Sequence, residues 1–234
     1  TTFKKSPAGD WESLYAGLEV ERNTFISSES SEQEEVASTI FSDDEVEKAV
    51  QPTFQLHQKF IITTIKSGLI AIHQQRAHER ILFEEFLRGM TSNESLSQQL
   101  LFPLEVSFSK DELLVLDGVQ EQLYNSGFSF EKAKASLIFK GLPTALEESQ
   151  LKDVLDTLIE KIKFDLPEDT FSQNTLIAEL FAKKAAVKTG KSLTVQEQLK
   201  LVNQLFACKD PQLTADHKTI YTTISITELD KKLN

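Results

Sequence analysis

The stretch GLIAIHQQRAHERILFEEF, Gly68 to Phe86, limits what this chain can fold into more than any other. Leu69 to Ile72 form a short apolar run that reads as a strand, followed by a polar turn and an amphipathic helix over about 76–88. Leu82 pairs with Phe86 and Phe83 with Leu87, each one helical turn apart, so the helix has a core-facing stripe. Gly89 is placed to cap it. The junction gathers His73, Gln74, Gln75, Arg76, His78 and Glu79. A rigid strand that ends in a polar turn beside free helix N–H groups is a favoured place for ligands and catalytic groups.

The rest of the chain sets the context. Its 234 residues suffice for one large domain or two small ones. No apolar run approaches the roughly 20 residues that span a bilayer. Beginning at Thr1, the chain is expected to be a piece of something longer. The single Cys208 offers no intramolecular disulfide and points to a reducing cytoplasm. A net charge of −11 argues against broad adhesion to nucleic acid. Lys183, Lys184, Lys188 and Lys191 form a local basic group, read as a solvated helix end.

Residues 1–50 read as an acidic, Ser-rich interdomain linker, with one small apolar island at Trp11, Leu14 and Tyr15. Folded structure is expected from about Phe54. Lys59 to Ile65 is a β-branched strand, joined through Lys66, Ser67 and Gly68 to an antiparallel Leu69–Ile72. Leu104, Val106 and Phe108 alternate with polar residues as in a half-buried strand. Ser109 and Glu112 have capping-box spacing for a helix to about Asn125, which Gly127 ends. Strands follow at 128–132 and 136–140, then a turn at Gly141, Leu142 and Pro143. Leu151, Val154, Leu155, Leu158, Ile159 and Ile162 keep helical spacing. Thus 104–164 reads as a β-α-β-β-α unit. A helix over about 171–188 comes next. A second capping box, Thr194 with Glu197, opens another helix. A strand over 220–226 leads to a short terminal helix capped by Thr227.

Taken together, GLIAIHQQRAHERILFEEF, AKKAAVKTGK, LTVQEQLKLVNQL and TELDKKL resemble the C-terminal dimerisation domain of the DNA mismatch repair protein MutL, over about 54–233. The resemblance implies an α+β fold in two subdomains. A sheet-plus-helices dimerisation subdomain takes 51–103 and 165–234, and the external, regulatory subdomain is inserted at 104–164. Nicking members of that family carry Asp-Gln-His-Ala in the turn, two downstream Glu residues, a Cys beside a lysine and a Cys-Pro-His loop. These supply ligands for a divalent ion that activates water. Here the Asp position is His73, Gln74 matches, the His position is Gln75 and the Ala position is Arg76. Glu79 and Glu84 match. The Cys position is Lys183, and the Cys-Pro-His loop becomes Thr214, Ala215, Asp216, His217, Lys218 and Thr219. A protonated lysine has no lone pair and repels a dication. The resemblance is therefore to the non-nicking branch: no catalytic residue, and His73, Glu79 and Asp216 as a degenerate remnant of the metal site. The alternative is a metal-dependent DNA nicking endonuclease with a site rebuilt from those three and His217.

Other residues have plainer expectations. Glu84 reads as a helix-surface charge, His78 as a structural hydrogen-bonding group and Cys208 as a buried, inert thiol. Gln98 to Pro103, QQLLFP, resembles the family's sliding-clamp contact. Gln98 would bond at a pocket rim while Leu101, Phe102 and Pro103 fill an apolar cleft. The resemblance further implies a homodimer that joins two ATPase arms, with ATP and Mg bound only in an N-terminal domain of the parent and no cofactor here. Implied partners are the sliding clamp, the mismatch-recognition protein MutS, a downstream repair helicase or nuclease, and DNA held by the full-length dimer, with no membrane. The implied location is the bacterial cytoplasm, at the nucleoid during repair.

Overall fold

A computed structural model describes residues 52–92, 95–164 and 167–234. The linker expectation for 1–50 lies outside the described residues. The fold is α+β, with two antiparallel sheets and seven α-helices among the described residues.

The first sheet holds β1 (Thr53–Leu56), β2 (Phe60–Ile65), β3 (Gly68–His73) and β7 (Tyr221–Ser225), in the order β1-β2-β3-β7. Two tight turns set its register. His57 and Gln58 both take φ of 51°, the left-handed centre of a turn that Lys59 N–H closes on the Leu56 carbonyl at 3.1 Å, within a three-residue connection between paired Leu56 and Phe60. Ile65 pairs with Gly68 across Lys66 and Ser67. Gly68 has φ of 155°, and a Cβ there would lie 2.1 Å from the Ile224 carbonyl oxygen, so only glycine lets β7 approach. The sequence pattern does not reveal β1, because four residues with alternating burial leave little periodic signal.

Helix α1 (Gln74–Ser92) lies between two cores. Its Ala77 and Ile81 join Ile61, Ile70 and Ile72 of the sheet and Leu201 and Leu205 of α6 (Val195–Phe206). Its Leu82, Phe83, Phe86 and Met90 join the larger core. There the Phe86 ring meets Phe181 edge to face at 5.6 Å, on α5 (Thr170–Ala185). Burying one such ring stabilises the fold by about 1.5–3 kcal/mol. The expected stop at Gly89 does not occur. Gly89 is inside the helix, and a Cβ there would lie 3.1 Å from Ser95 Cβ and 3.2 Å from the Asn125 oxygen. Close packing, not a left-handed cap, accounts for the glycine.

The second sheet has the order β4-β6-β5, from β4 (Ser97–Ser107), β5 (Ser129–Lys132) and β6 (Ser136–Pro143). α4 (Leu151–Phe164) buries all six of its predicted apolar positions in the same core. The expected helix over 109–125 divides into α2 (Lys110–Gly118) and α3 (Gln120–Asn125). Gly118 is a weak helix former, and fully buried Val119 turns inward at φ of −121°. The expected turn at 141–143 is instead the end of β6. Gly141 pairs with both Gln99 and Ser129, where a larger residue would meet Ser97 Oγ at 2.9 Å. Strand β4 starts before the expected 104 and crosses the 103/104 boundary. Helix α7 (Ile226–Leu233) is capped by Ser225, not Thr227: the Ser225 side chain accepts from Glu228 N–H, and Glu228 reaches back to Ser225 N–H. α5 is capped by Asp169, which accepts from Ser172 N–H, a pair without the capping-box signature.

Candidate functional site

The strand–helix junction binds a loop of its own chain. Three early α1 side chains face 187–193, the segment between α5 and α6. Val187 N–H donates to His78 Nδ1 at 2.9 Å. Thr189 donates to Gln75 Oε1 through its N–H at 3.3 Å and its hydroxyl at 3.0 Å. Gln74 Nε2 donates to the Lys191 carbonyl at 3.1 Å. Gln55 of β1 completes the set, donating to Gln74 and to Lys191 O and accepting from Leu193 N–H. Burial lowers the His78 pKa to about 4, helped by Lys191 and Lys200, so the ring is neutral and accepts at Nδ1. The expected structural role of His78 is what the geometry has.

The three remnant positions do not converge. His73 ends β3, with its ring edge to face against Phe60 at 5.5 Å and its Nδ1 3.4 Å from the Arg76 N–H. Burial lowers its pKa, reinforced by the Arg76 and Lys59 charges. Arg76 donates to the Thr219 carbonyl at 2.7 Å, tying α1 to the chain entering β7. Glu79 and Asp216, in contrast, feel each other. Burial is the main cause raising the Glu79 pKa, and the Asp216 charge adds to it. Glu79 is 8% exposed, and its Oε1 has no hydrogen-bond partner among the described residues. Asp216 accepts from Thr214 Oγ1 and pairs with Lys218 at 2.7 Å and Lys183 at 3.4 Å. Burial opposes its ionisation, but these partners prevail and hold its carboxyl far below the usual range. Lys183 pairs as well with Glu179, one turn back on α5.

These residues do not fit a resident divalent metal. An ammonium sits among the carboxylates, and no three His, Cys, Asp or Glu side chains converge for a metal among the described residues. Glu84 departs from its expected role as surface charge. It is bidentate, pairing with Arg80 at 2.8 Å and accepting from Lys209 N–H at 2.9 Å and Asp210 N–H at 3.3 Å. It fastens the loop that follows α6. Cys208 is half-buried, and burial pushes its thiol up to about 11, far from a nucleophile's range.

Leu101, Phe102 and Pro103 lie in β4 where its ladder with β6 breaks, whereas Gln98 lies just before the break, paired with Leu142. Gln99 pairs with Gly141 and Leu104 with Phe139, so β4 advances five residues while β6 advances two. The surplus bulges out. Leu100 is buried as an anchor, while Leu101 is 86% and Phe102 74% exposed.

A second apolar surface is the open face of the first sheet. Alternation sends Ile61, Ile70 and Ile72 into the core and Phe54, Leu56, Phe60, Ile62, Leu69, Ala71 and Ile224 to the other side. Phe54 pairs with Ile62, and Ile62 with Ala71. None of these seven belongs to either buried core, and Phe54 is 64% exposed. At the sheet's end, α7 buries no residue and leaves Ile226 and Leu233 exposed.

The fold is thus an α+β domain with an apolar sheet face that lies outside both cores among the described residues, and a self-bound strand–helix junction. Residues 53–193 match the family described as MutL C terminal dimerisation domain. The chain is 44% identical to the DNA mismatch repair protein MutL of Flavobacterium johnsoniae over 97% of its own length and 36% of that protein. It is 40% identical to that of Christiangramia forsetii over 99% of its length and 38% of that protein. With the MutL of Chlorobium chlorochromatii it shares 31% identity over 79% of its length. The chain belongs to the MutL C-terminal dimerisation domain family. It spans little more than a third of the first two relatives named.

Proposed function

We propose that this chain is the homodimerisation domain of a bacterial mismatch repair MutL and docks on the sliding clamp without cutting DNA itself. The observation that carries the reading is the open sheet face. Seven apolar side chains over four adjacent strands need a cover, and a second copy of the same face supplies one of matching chemistry. Dimerisation joins two N-terminal ATPase arms and raises their effective concentration for one another. ATP and Mg act in those arms, where closure holds DNA. MutS and a downstream helicase or nuclease engage the full-length dimer, in the cytoplasm at the nucleoid. In this reading 51–103 with 165–234 form the dimerising subdomain and 104–164 the external one. Among the described residues no helix is long and apolar enough to cross a membrane.

Clamp docking is supported by the bulge. Leu101 and Phe102 stand clear of the sheet and Pro103 stiffens the exit, so little order is lost on binding a cleft. The reading of no nicking is supported by Lys183 among the carboxylates and by the lack of any three His, Cys, Asp or Glu side chains grouped to hold a metal among the described residues. Sedimentation velocity tests the main reading: a dimer for the chain, and a folded monomer for Ile62→Asp. A wild-type monomer at all concentrations sinks it. Supercoiled-plasmid nicking with Mn²⁺ and loaded clamp tests the rest in the full-length parent. Nicking lost on Glu79→Ala restores the endonuclease alternative.

A further inference from the structure

The basic group Lys183, Lys184, Lys188 and Lys191 is not one solvated helix end. Lys183 is engaged with Glu179 and Asp216, and Lys184 with Asp153 at 2.7 Å. Lys188 and Lys191 form no ion pair among the described residues, nor does Lys200 of α6. The Lys188 ammonium donates to the Lys183 carbonyl at 3.1 Å. A turn brings Lys188 and Lys191 together: Gly190 takes φ of 97°, and Lys191 N–H donates to the Lys188 carbonyl at 3.3 Å. All three lysines line one open cleft of about 770 Å³, together with His78. His78 accepts the Val187 N–H at Nδ1, so the proton of the neutral ring is on Nε2 and is left to donate. Glu85 and Glu147 are the acids on the cleft wall. Glu147 is committed to the backbone of the 148–150 turn, and Glu85 lies two turns, about 10 Å, along α1 from His78. The cleft is therefore polarised, with its basic end beside His78. Its apolar wall has Leu96, 67% exposed, and the half-buried Ala145 and Val187.

We infer that this cleft binds an acidic peptide segment of a partner protein, with its carboxylates on Lys188, Lys191 and Lys200 and an apolar side chain against Leu96 and Val187. Charge complementarity selects the occupant. Three ammonium groups without ion-pair partners can engage it with no internal pair to break, and they steer its approach. The volume is in the range that takes a ligand of several hundred daltons. A free phosphate is much smaller and would leave the apolar wall uncovered. Nucleic acid fits less well, because none of the lining side chains is aromatic and the cleft offers no platform for base stacking. The bulge at Leu101 and Phe102 is outside the cleft lining, so this surface is separate from the one proposed for the clamp.

Fluorescence anisotropy of the chain with a fluorescein-labelled synthetic peptide of Asp-Asp-Leu repeats tests this. The same peptide with Asn for Asp is the control, and inorganic triphosphate and a thymidine oligonucleotide are the competitors. The acidic peptide binds, the Asn peptide does not, and the affinity falls as salt rises. Lys191→Glu, Lys200→Glu and Leu96→Asp each weaken binding by about tenfold or more. All three positions are exposed, so the variants keep the fold. Lys184→Glu, at the lysine paired with Asp153, leaves binding unchanged, as do Leu101→Ala and Phe102→Ala. Amide resonances of 187–191 shift on titration with the acidic peptide. An acidic peptide that does not bind, or that binds Lys191→Glu and Lys200→Glu as well as the wild type, overturns the assignment. Displacement of the peptide by the oligonucleotide or by triphosphate at lower concentration than by unlabelled acidic peptide overturns it in favour of a phosphate ligand. Loss of clamp binding in Leu101→Ala with peptide binding kept shows the two surfaces to be independent, so either reading can fail alone.

Discussion

His78 Nδ1 accepts the Val187 N–H at 2.9 Å, across more than a hundred residues of chain. That bond requires a neutral ring. In the unfolded chain the imidazole titrates near 6.5, and in the fold near 4. The unfolded state therefore binds more protons between those values. The stability that His78 contributes is full above about pH 6.5 and is lost as pH falls toward 4. Each tenfold difference in proton affinity is about 1.4 kcal/mol, so the partly buried ring is worth on the order of 2 kcal/mol after discounting for solvent. Urea unfolding at pH 7.5 and pH 5 will show the loss in the wild type. In His78→Leu the two midpoints will differ less.

Glu79 has the opposite sign. Burial and Asp216 raise its pKa, so stability falls as pH rises past the unfolded value near 4.5, and the loss is complete above the raised value. Glu79→Gln removes the charge at nearly constant volume. It is expected to raise the stability at pH 7.5 and to lose that advantage at pH 4. Paired denaturation curves check this. A loss of stability at pH 7.5 would mean that the attraction to Lys183 outweighs burial.

What could be read from the sequence was what neighbours in the chain decide. The Ser109–Glu112 and Thr194–Glu197 boxes close within one turn and stand as expected. The six apolar positions of α4 fix its buried face by periodicity alone. Features set by distant partners were not legible. Gly89 is glycine because Asn125 lies over it, and Gly141 because Ser97 does. Glu84 holds amides 125 residues away, so its place on the helix suggested only a surface charge. The junction shows the same limit. Its polar types fit a ligand site equally well, and only the placement of 187–193 turns Gln74, Gln75 and His78 into loop-binding groups.

Glu84 yields a prediction that a surface charge would not. Glu84→Ala removes the acceptor for two amides and one side of an ion pair that is largely shielded from solvent. A lost loop cap of this kind costs about 1–2 kcal/mol. Hydrogen exchange should accelerate at the Lys209 and Asp210 amides and little elsewhere. Unchanged protection there would show that other contacts hold the loop.

The bulge of β4 separates stability from binding within three consecutive residues. Leu100 is buried and packs in the larger core, whereas Leu101 and Phe102 point into solvent. Leu100→Ala should cost about 2–5 kcal/mol, as core truncations do. Leu101→Ala and Phe102→Ala should each change stability by less than about 0.5 kcal/mol, because neither side chain is packed. Both should nevertheless weaken binding to an immobilised bacterial sliding clamp by about tenfold or more, as loss of an apolar anchor does. Their dimer should remain intact, since the bulge belongs to the second sheet and the apolar dimer face to the first. Clamp binding that survives Leu101→Ala and Phe102→Ala together would leave the exposed pair without its proposed partner.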